Sequence, residues 1–149
     1  MTGIDFHFNT PDKVHHACRL LRKAVAGHGA RVVVVGDAAT LDAVDAALWQ
    51  LSPADFIAHC RADAASGMLA RSPVVLSAAG GDAGVPHHQV LLNLGAEVPA
   101  GFGRFERLID IVGDDEDDRR TARIRWRHYA DRGYAIVRHE FQAGARATS

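Results

Sequence analysis

The sequence predicts an α/β fold in a single domain, a mainly parallel sheet flanked by helices. Three observations carry that reading. Apolar runs of strand length alternate with segments of helical period through the first 50 residues. Several runs, Arg31-Val32-Val33-Val34-Val35 foremost, are continuously apolar, as in a strand covered on both faces. The chain has 149 residues, 48% hydrophobic and 23% charged, which suffices for one ordinary core and is short for two.

Ile4, Phe6 and Phe8 alternate with Asp5 and His7, the period of a first strand. Thr10 followed by Pro11 at the first helical position starts a helix. Val14, Ala17, Cys18, Leu21, Ala24 and Val25 form its apolar stripe, and Gly27-His28-Gly29 stops it. After the valine strand, Gly36-Asp37 turns the chain into a second helix, Thr40 to Gln50, with Leu41, Val44, Ala47 and Leu48 inward. Residues 52–71 hold no long periodic run and are expected to be a loop with short helical turns. Pro73 to Ser77 and Gln89 to Leu94 are two more buried strands, joined by a flexible glycine-rich connection at 79–84. Leu108-Ile109-Asp110-Ile111-Val112 is a further strand, preceded by a turn around Phe102 and Phe105. Asp114 to Arg132 forms a charged final helix ended by Gly133. Residues 134–141 are either a last strand or an extended tail on the sheet. The domain is expected over 1–142, with 143–149 as a frayed tail.

The 17 Lys+Arg are offset by 18 Asp+Glu, a net charge of −1, which disfavours a strongly basic nucleic-acid binder while leaving room for a local patch. No segment approaches the roughly 18 consecutive apolar residues of a membrane span, and the N-terminus has no basic leader before an apolar stretch. Cys18 and Cys60 make no disulfide framework, so a reducing cytoplasm is expected.

Motifs for chemistry are scarce. There is no phosphate-cradling glycine loop with its lysine, and Gly101-Phe102-Gly103 is too little of a dinucleotide fingerprint. No cofactor is therefore expected. Nine histidines include the adjacent pairs His15-His16 and His87-His88, whose neighbours point apart, and His59-Cys60 lacks a second pair at zinc spacing. No metal is expected. No nucleophile elbow or paired-carboxylate site stands out either, so no catalytic residue is assigned.

The informative segment is the final helix. Asp114-Asp115-Glu116-Asp117-Asp118 sits at its start, where the helix dipole favours acids. Seven of the 17 basic residues then fall within the 20 positions from Arg119 to Arg138. Arg119, Arg123, Trp126 and Arg127 are spaced by three and four and so share a helix face. Guanidinium groups around an aromatic ring can hold an anionic, partly apolar ligand. The same pattern also fits a solvated charged face with intrahelical pairs, or a tryptophan buried as core. Trp49, at the end of the second helix, and Phe56 are either core residues or an aromatic anchor pair for a protein partner.

Three blocks in order resemble the chi subunit of bacterial DNA polymerase III, a clamp-loader accessory protein. They are Leu41 to Phe56, with Phe seven residues after Trp49; the strand Leu108-Ile109-Asp110-Ile111-Val112; and Ala122-Arg123-Ile124-Arg125-Trp126-Arg127-His128-Tyr129 before Gly133. The resemblance spans nearly the whole chain. It implies a non-catalytic, Rossmann-like fold without a nucleotide site, bridging two partners. One is the acidic, Phe-terminated tail of single-stranded-DNA-binding protein, the other a psi-type clamp-loader subunit, so that DNA is reached only indirectly. It assigns the tail to Arg119, Arg123, Trp126 and Arg127 with Val112 near the pocket, and the psi-type partner to Trp49 and Phe56. Trp126 and Arg127 stand where that family commonly has Tyr and Lys, and the five-acid run is outside its pattern. Rival readings are a nucleotide-binding or enzymatic α/β protein with an arginine-lined anion site, and a direct binder of single strands through the arginine helix.

Overall fold

Residues 1–50, 56–78 and 84–141 are described by a computed structural model. Seven strands form one all-parallel sheet in the order β3-β4-β2-β5-β6-β1-β7. The strands are β1 (Gly3–Thr10), β2 (Val32–Val35), β3 (His59–Arg61), β4 (Val74–Ser77), β5 (Val90–Asn93), β6 (Arg107–Gly113) and β7 (Ile136–Glu140). Helices α1 (Lys13–Leu21) and α2 (Ala38–Trp49) cover one face, where Ala17, Leu21, Val44 and Leu48 pack on Val32, Val34, Leu92 and Ile111. Helices α3 (Ser66–Arg71) and α4 (Glu116–Asp131) cover the other, where Ala122 and Tyr129 pack on Phe6, Val33, Leu108 and Val112. Alternate residues of each central strand serve opposite cores, which is why β2, β4 and β5 are apolar throughout.

The helix starts differ from those the sequence suggests. Thr10 is buried as the last residue of β1, and α1 is capped by Asp12, whose carboxylate accepts from the His15 N–H at 3.0 Å. Pro11 thus lies just before the cap. After Leu21 the helix continues as a wide π turn over Arg22–Ala26. Asp37 caps α2 by accepting from Thr40 N–H at 2.7 Å, so that helix begins at Ala38. Asp115 caps α4 by accepting from Asp118 N–H at 3.2 Å, which puts Glu116, Asp117 and Asp118 inside the first turn. Gly133, at φ +83°, ends it.

The expectation of a loop with helical turns over 52–71 is half corrected. It contains α3, but also β3, an edge strand too short at three residues to show a period. Residues 51–55 of that stretch lie outside the described residues, as do the connection at 79–83 and the tail at 143–149. The alternatives for 134–141 resolve as a strand, because β7 pairs in parallel with β1 from Ile4–Ile136 to Phe8–Glu140.

One buried ion pair ties α4 to the sheet. Arg125 donates from Nε and Nη2 to the two carboxylate oxygens of Asp110, each at 2.9 Å, and their side chains are 1% and 0% exposed. Its Nη1 donates to Ala96 O at 2.8 Å, and Asn93 Nδ2 donates to Asp110 at 3.2 Å. Burial pushes the Asp110 carboxyl up from its ordinary value, and the Arg125 guanidinium opposes that rise.

Candidate functional site

The cavity on α4 follows from helix spacing and strand register together. Arg119, Arg123, Trp126 and Arg127 project along one side of α4, as positions i, i+4, i+7 and i+8 must. Beneath them, β1 presents Phe8 and Asn9, and β7 presents Arg138. These seven side chains line a cavity of about 410 Å³ at the β7 edge of the sheet. Trp126 leans on Phe6 and Phe8, with ring centroids 5.1 and 5.9 Å away, so its half-buried ring forms a fixed wall. Arg138 stacks its guanidinium 4.3 Å from the centre of the Phe8 ring.

Arg119 donates from Nη2 to Asn9 Oδ1 at 3.0 Å, Arg123 pairs with Glu116 at 3.2 Å, and Arg138 pairs with Glu140 at 2.7 Å. Among the described residues Arg127 has no hydrogen-bond or ion-pair partner. Four guanidinium groups and an aromatic wall thus face one opening. Chemically the site can take carboxylates on its arginines and an apolar ring against Trp126 and Phe8.

The structure brings together four of the five sequence-selected residues of this set. Val112, expected near the pocket, is fully buried in the core against which Trp126 packs and does not line the cavity. Phe8, Asn9 and Arg138 were missed by sequence reasoning. Arg138 belonged to the basic run, but only the β1–β7 pairing carries it to α4. Arg125, counted in the same run, is structural.

The acid run is tied internally. Asp115 caps the helix, Glu116 holds Arg123, Asp117 holds Arg120 at 3.3 Å, and Asp118 pairs with Lys13 at 3.0 Å.

Trp49 and Phe56 come together at the opposite edge, beside β3. They are 61% and 45% exposed, with ring centroids 5.4 Å apart. His59 packs edge-on to Trp49 at 5.0 Å. Its Nδ1–H donates to Ile57 O at 2.7 Å and its Nε2 lies 3.1 Å from Asp45, which fixes the ring under the pair.

Parallel sheets bind nucleotides at the carboxyl ends of their strands, here β2 and β5. A cavity of about 680 Å³ opens there, with Gly36, Asp37, Asn93 and Glu97 in its walls. The Asp37 carboxylate accepts from the Thr40 N–H of α2 at 2.7 Å, so an anion there meets the carboxylates of Asp37 and Glu97. Among the described residues no helix is long and apolar enough to cross a membrane.

Fold and cavity define an α/β protein with a basic, aromatic-walled cavity at one sheet edge and an exposed aromatic pair at the other. A family model described as "DNA polymerase III chi subunit, HolC" matches residues 1–137. A curated relative from Pseudomonas aeruginosa, "DNA polymerase III subunit chi", is 30% identical over 144 residues, covering 93% of this chain and 96% of that one. The chain belongs to the DNA polymerase III chi subunit family, an accessory family of DNA replication.

Proposed function

We propose that this protein is a non-catalytic subunit that binds the acidic, Phe-terminated tail of single-stranded-DNA-binding protein through the α4 cavity. A psi-type clamp-loader subunit occupies the Trp49–Phe56 face. The observation that carries the reading is the convergence of Arg119, Arg123, Arg127 and Arg138 on the Trp126 wall. Carboxylates of the tail pair with the guanidinium groups, and its terminal Phe ring lies against Trp126 and Phe8.

The two faces sit at opposite edges of a seven-stranded sheet, roughly 29 Å apart at the usual strand spacing. That separation supports binding of both partners at once, which a bridge between DNA-bound protein and clamp loader requires. Residues 1–142 act as one cytoplasmic domain carrying both faces. A single tail contact of this kind is weak, on the order of micromolar, and salt-sensitive. Several tails presented together on coated DNA raise its effective strength.

The test is calorimetric titration with single-stranded-DNA-binding protein, intact and lacking its last few residues. Saturable binding of the intact form and none of the truncated form is the expected result. Equal binding of both sinks the assignment of the cavity.

A further inference from the structure

We propose that Asn9, Arg138 and Glu140 complete the anion site and set its selectivity, with Glu140 as a resident carboxylate that an incoming ligand carboxylate replaces. The inference rests on the reading that the α4 cavity takes an acidic peptide, and deepens it.

Register puts these residues where the ligand goes. Arg138 lies beside Phe6 and Glu140 beside Phe8 in the β1–β7 pairing, so both β7 side chains stand on the face that Trp126 covers. Arg138 donates from Nε and Nη2 to one oxygen of Glu140, at 3.2 and 2.7 Å. The other oxygen accepts from Asn9 Nδ2, and the Asn9 carbonyl accepts from Arg119. A single carboxylate and a single carboxamide thus link the arginine of β7 to the first arginine of α4.

Asn9 is built for that link. Its φ of +58° makes it the one non-glycine with a left-handed backbone among the described residues. Asparagine is among the few side chains that tolerate this conformation. It sits in the irregularity of the β1–β6 pairing between His7 and Thr10, and its carboxamide reaches both α4 and β7. Strain of this kind persists where surrounding bonds hold it, and here those bonds are the ones that orient cavity arginines.

Glu140 occupies the donors that a ligand carboxylate would use. Its hydrogen bonds from Arg138 and Asn9 hold it below the usual carboxylate range. Exchange of one carboxylate for another leaves charge pairing on Arg138 unchanged. A ligand offering a lone negative charge therefore gains little. A ligand that adds further carboxylates for Arg127 and Arg119 and a ring for Trp126 gains those contacts in addition. The resident carboxylate makes the cavity selective for a compact acidic, aromatic peptide end over a simple anion.

The test titrates wild type, Glu140→Gln, Asn9→Gly and Arg127→Ala with a short acidic peptide ending in Phe with a free carboxylate. Glutamine keeps an oxygen for Arg138 but removes the competing charge, and glycine keeps the left-handed backbone at position 9 while deleting the carboxamide. Glu140→Gln is expected to bind about 2–10-fold tighter than wild type, and Asn9→Gly to bind more weakly, with thermal midpoints near wild type for both. If Arg127→Ala weakens binding while Glu140→Gln leaves it equal or weaker, the cavity reading survives and this inference is overturned. If wild type does not bind the peptide, both are overturned.

Discussion

Arg125 and Arg127 are two residues apart on α4 and point to opposite environments, and replacing Arg125 with alanine exposes the difference. The substitution removes two 2.9 Å bonds to Asp110 and the bond to Ala96 O, leaving the fully buried Asp110 with Asn93 alone at 3.2 Å. Breaking a buried pair by removing one partner costs about 3–5 kcal/mol, because the remaining charge stays desolvated. With an unfolding entropy of about 2.1 cal/mol/K per residue, that lowers the Tm of a chain this size by about 10–15 °C. Burial already pushes the Asp110 carboxyl up, and without Arg125 nothing of comparable strength opposes that rise. A carboxyl raised in the folded state binds its proton more readily there than in the unfolded chain. The deficit relative to wild type therefore shrinks as pH falls toward the ordinary carboxyl value of about 4, and grows above it. Adding Asp110→Asn removes the orphaned charge and restores roughly half of the loss. The assay is urea denaturation followed by circular dichroism, at several pH values. A loss under about 1 kcal/mol, or no rescue by Asp110→Asn, refutes the reasoning.

Arg127→Ala removes an exposed, unpaired guanidinium. It should leave urea stability within about 0.5 kcal/mol and cut affinity for the acidic peptide by about 1.5–3 kcal/mol, checked by calorimetry. The double variant Trp49→Ala, Phe56→Ala should keep acidic-peptide affinity within about two-fold, since distant sites act independently; a larger loss would join the two faces. Wild-type stability should fall in mild acid. His7 and His16 meet at 3.1 Å with His139 stacked on His7, and burial, then neighbouring positive groups, lowers each of His7 and His16 to about 4. A base depressed in the folded state adds stability in full above its unfolded value of about 6.5, lost as pH drops toward 4. With discount for part exposure, the pair accounts for on the order of 2–4 kcal/mol. A flat denaturation midpoint between pH 7 and 4.5 would contradict it.

Much of this was legible in the sequence because it rests on local periodicity. The four valines of β2 announce a central strand, and the spacing of Arg119, Arg123, Trp126 and Arg127 alone puts them on one side of α4. What was illegible depends on pairing between distant segments. Nothing local says that residue 138 lies against residue 6, so Arg138 and the Asn9–Glu140 link stayed hidden. Adjacent histidines do point apart, yet His16 meets His7 from another element, a contact that spacing cannot reveal. Alternation along β6 sends Val112 to the α4 side, into the buried core against which Trp126 and Phe8 pack. Arg125 carries the same charge as its neighbours, and only the buried Asp110 tells it apart.

The chain has two tryptophans, one on each proposed face. In a Trp49→Phe variant all tryptophan emission comes from Trp126, which makes the central claim directly observable. Titration with an acidic Phe-terminated peptide should shift and saturate that emission, and a peptide amidated at its C-terminus should do so far more weakly. Unchanged Trp126 emission at peptide concentrations that saturate calorimetric binding would place the ligand elsewhere and contradict the account.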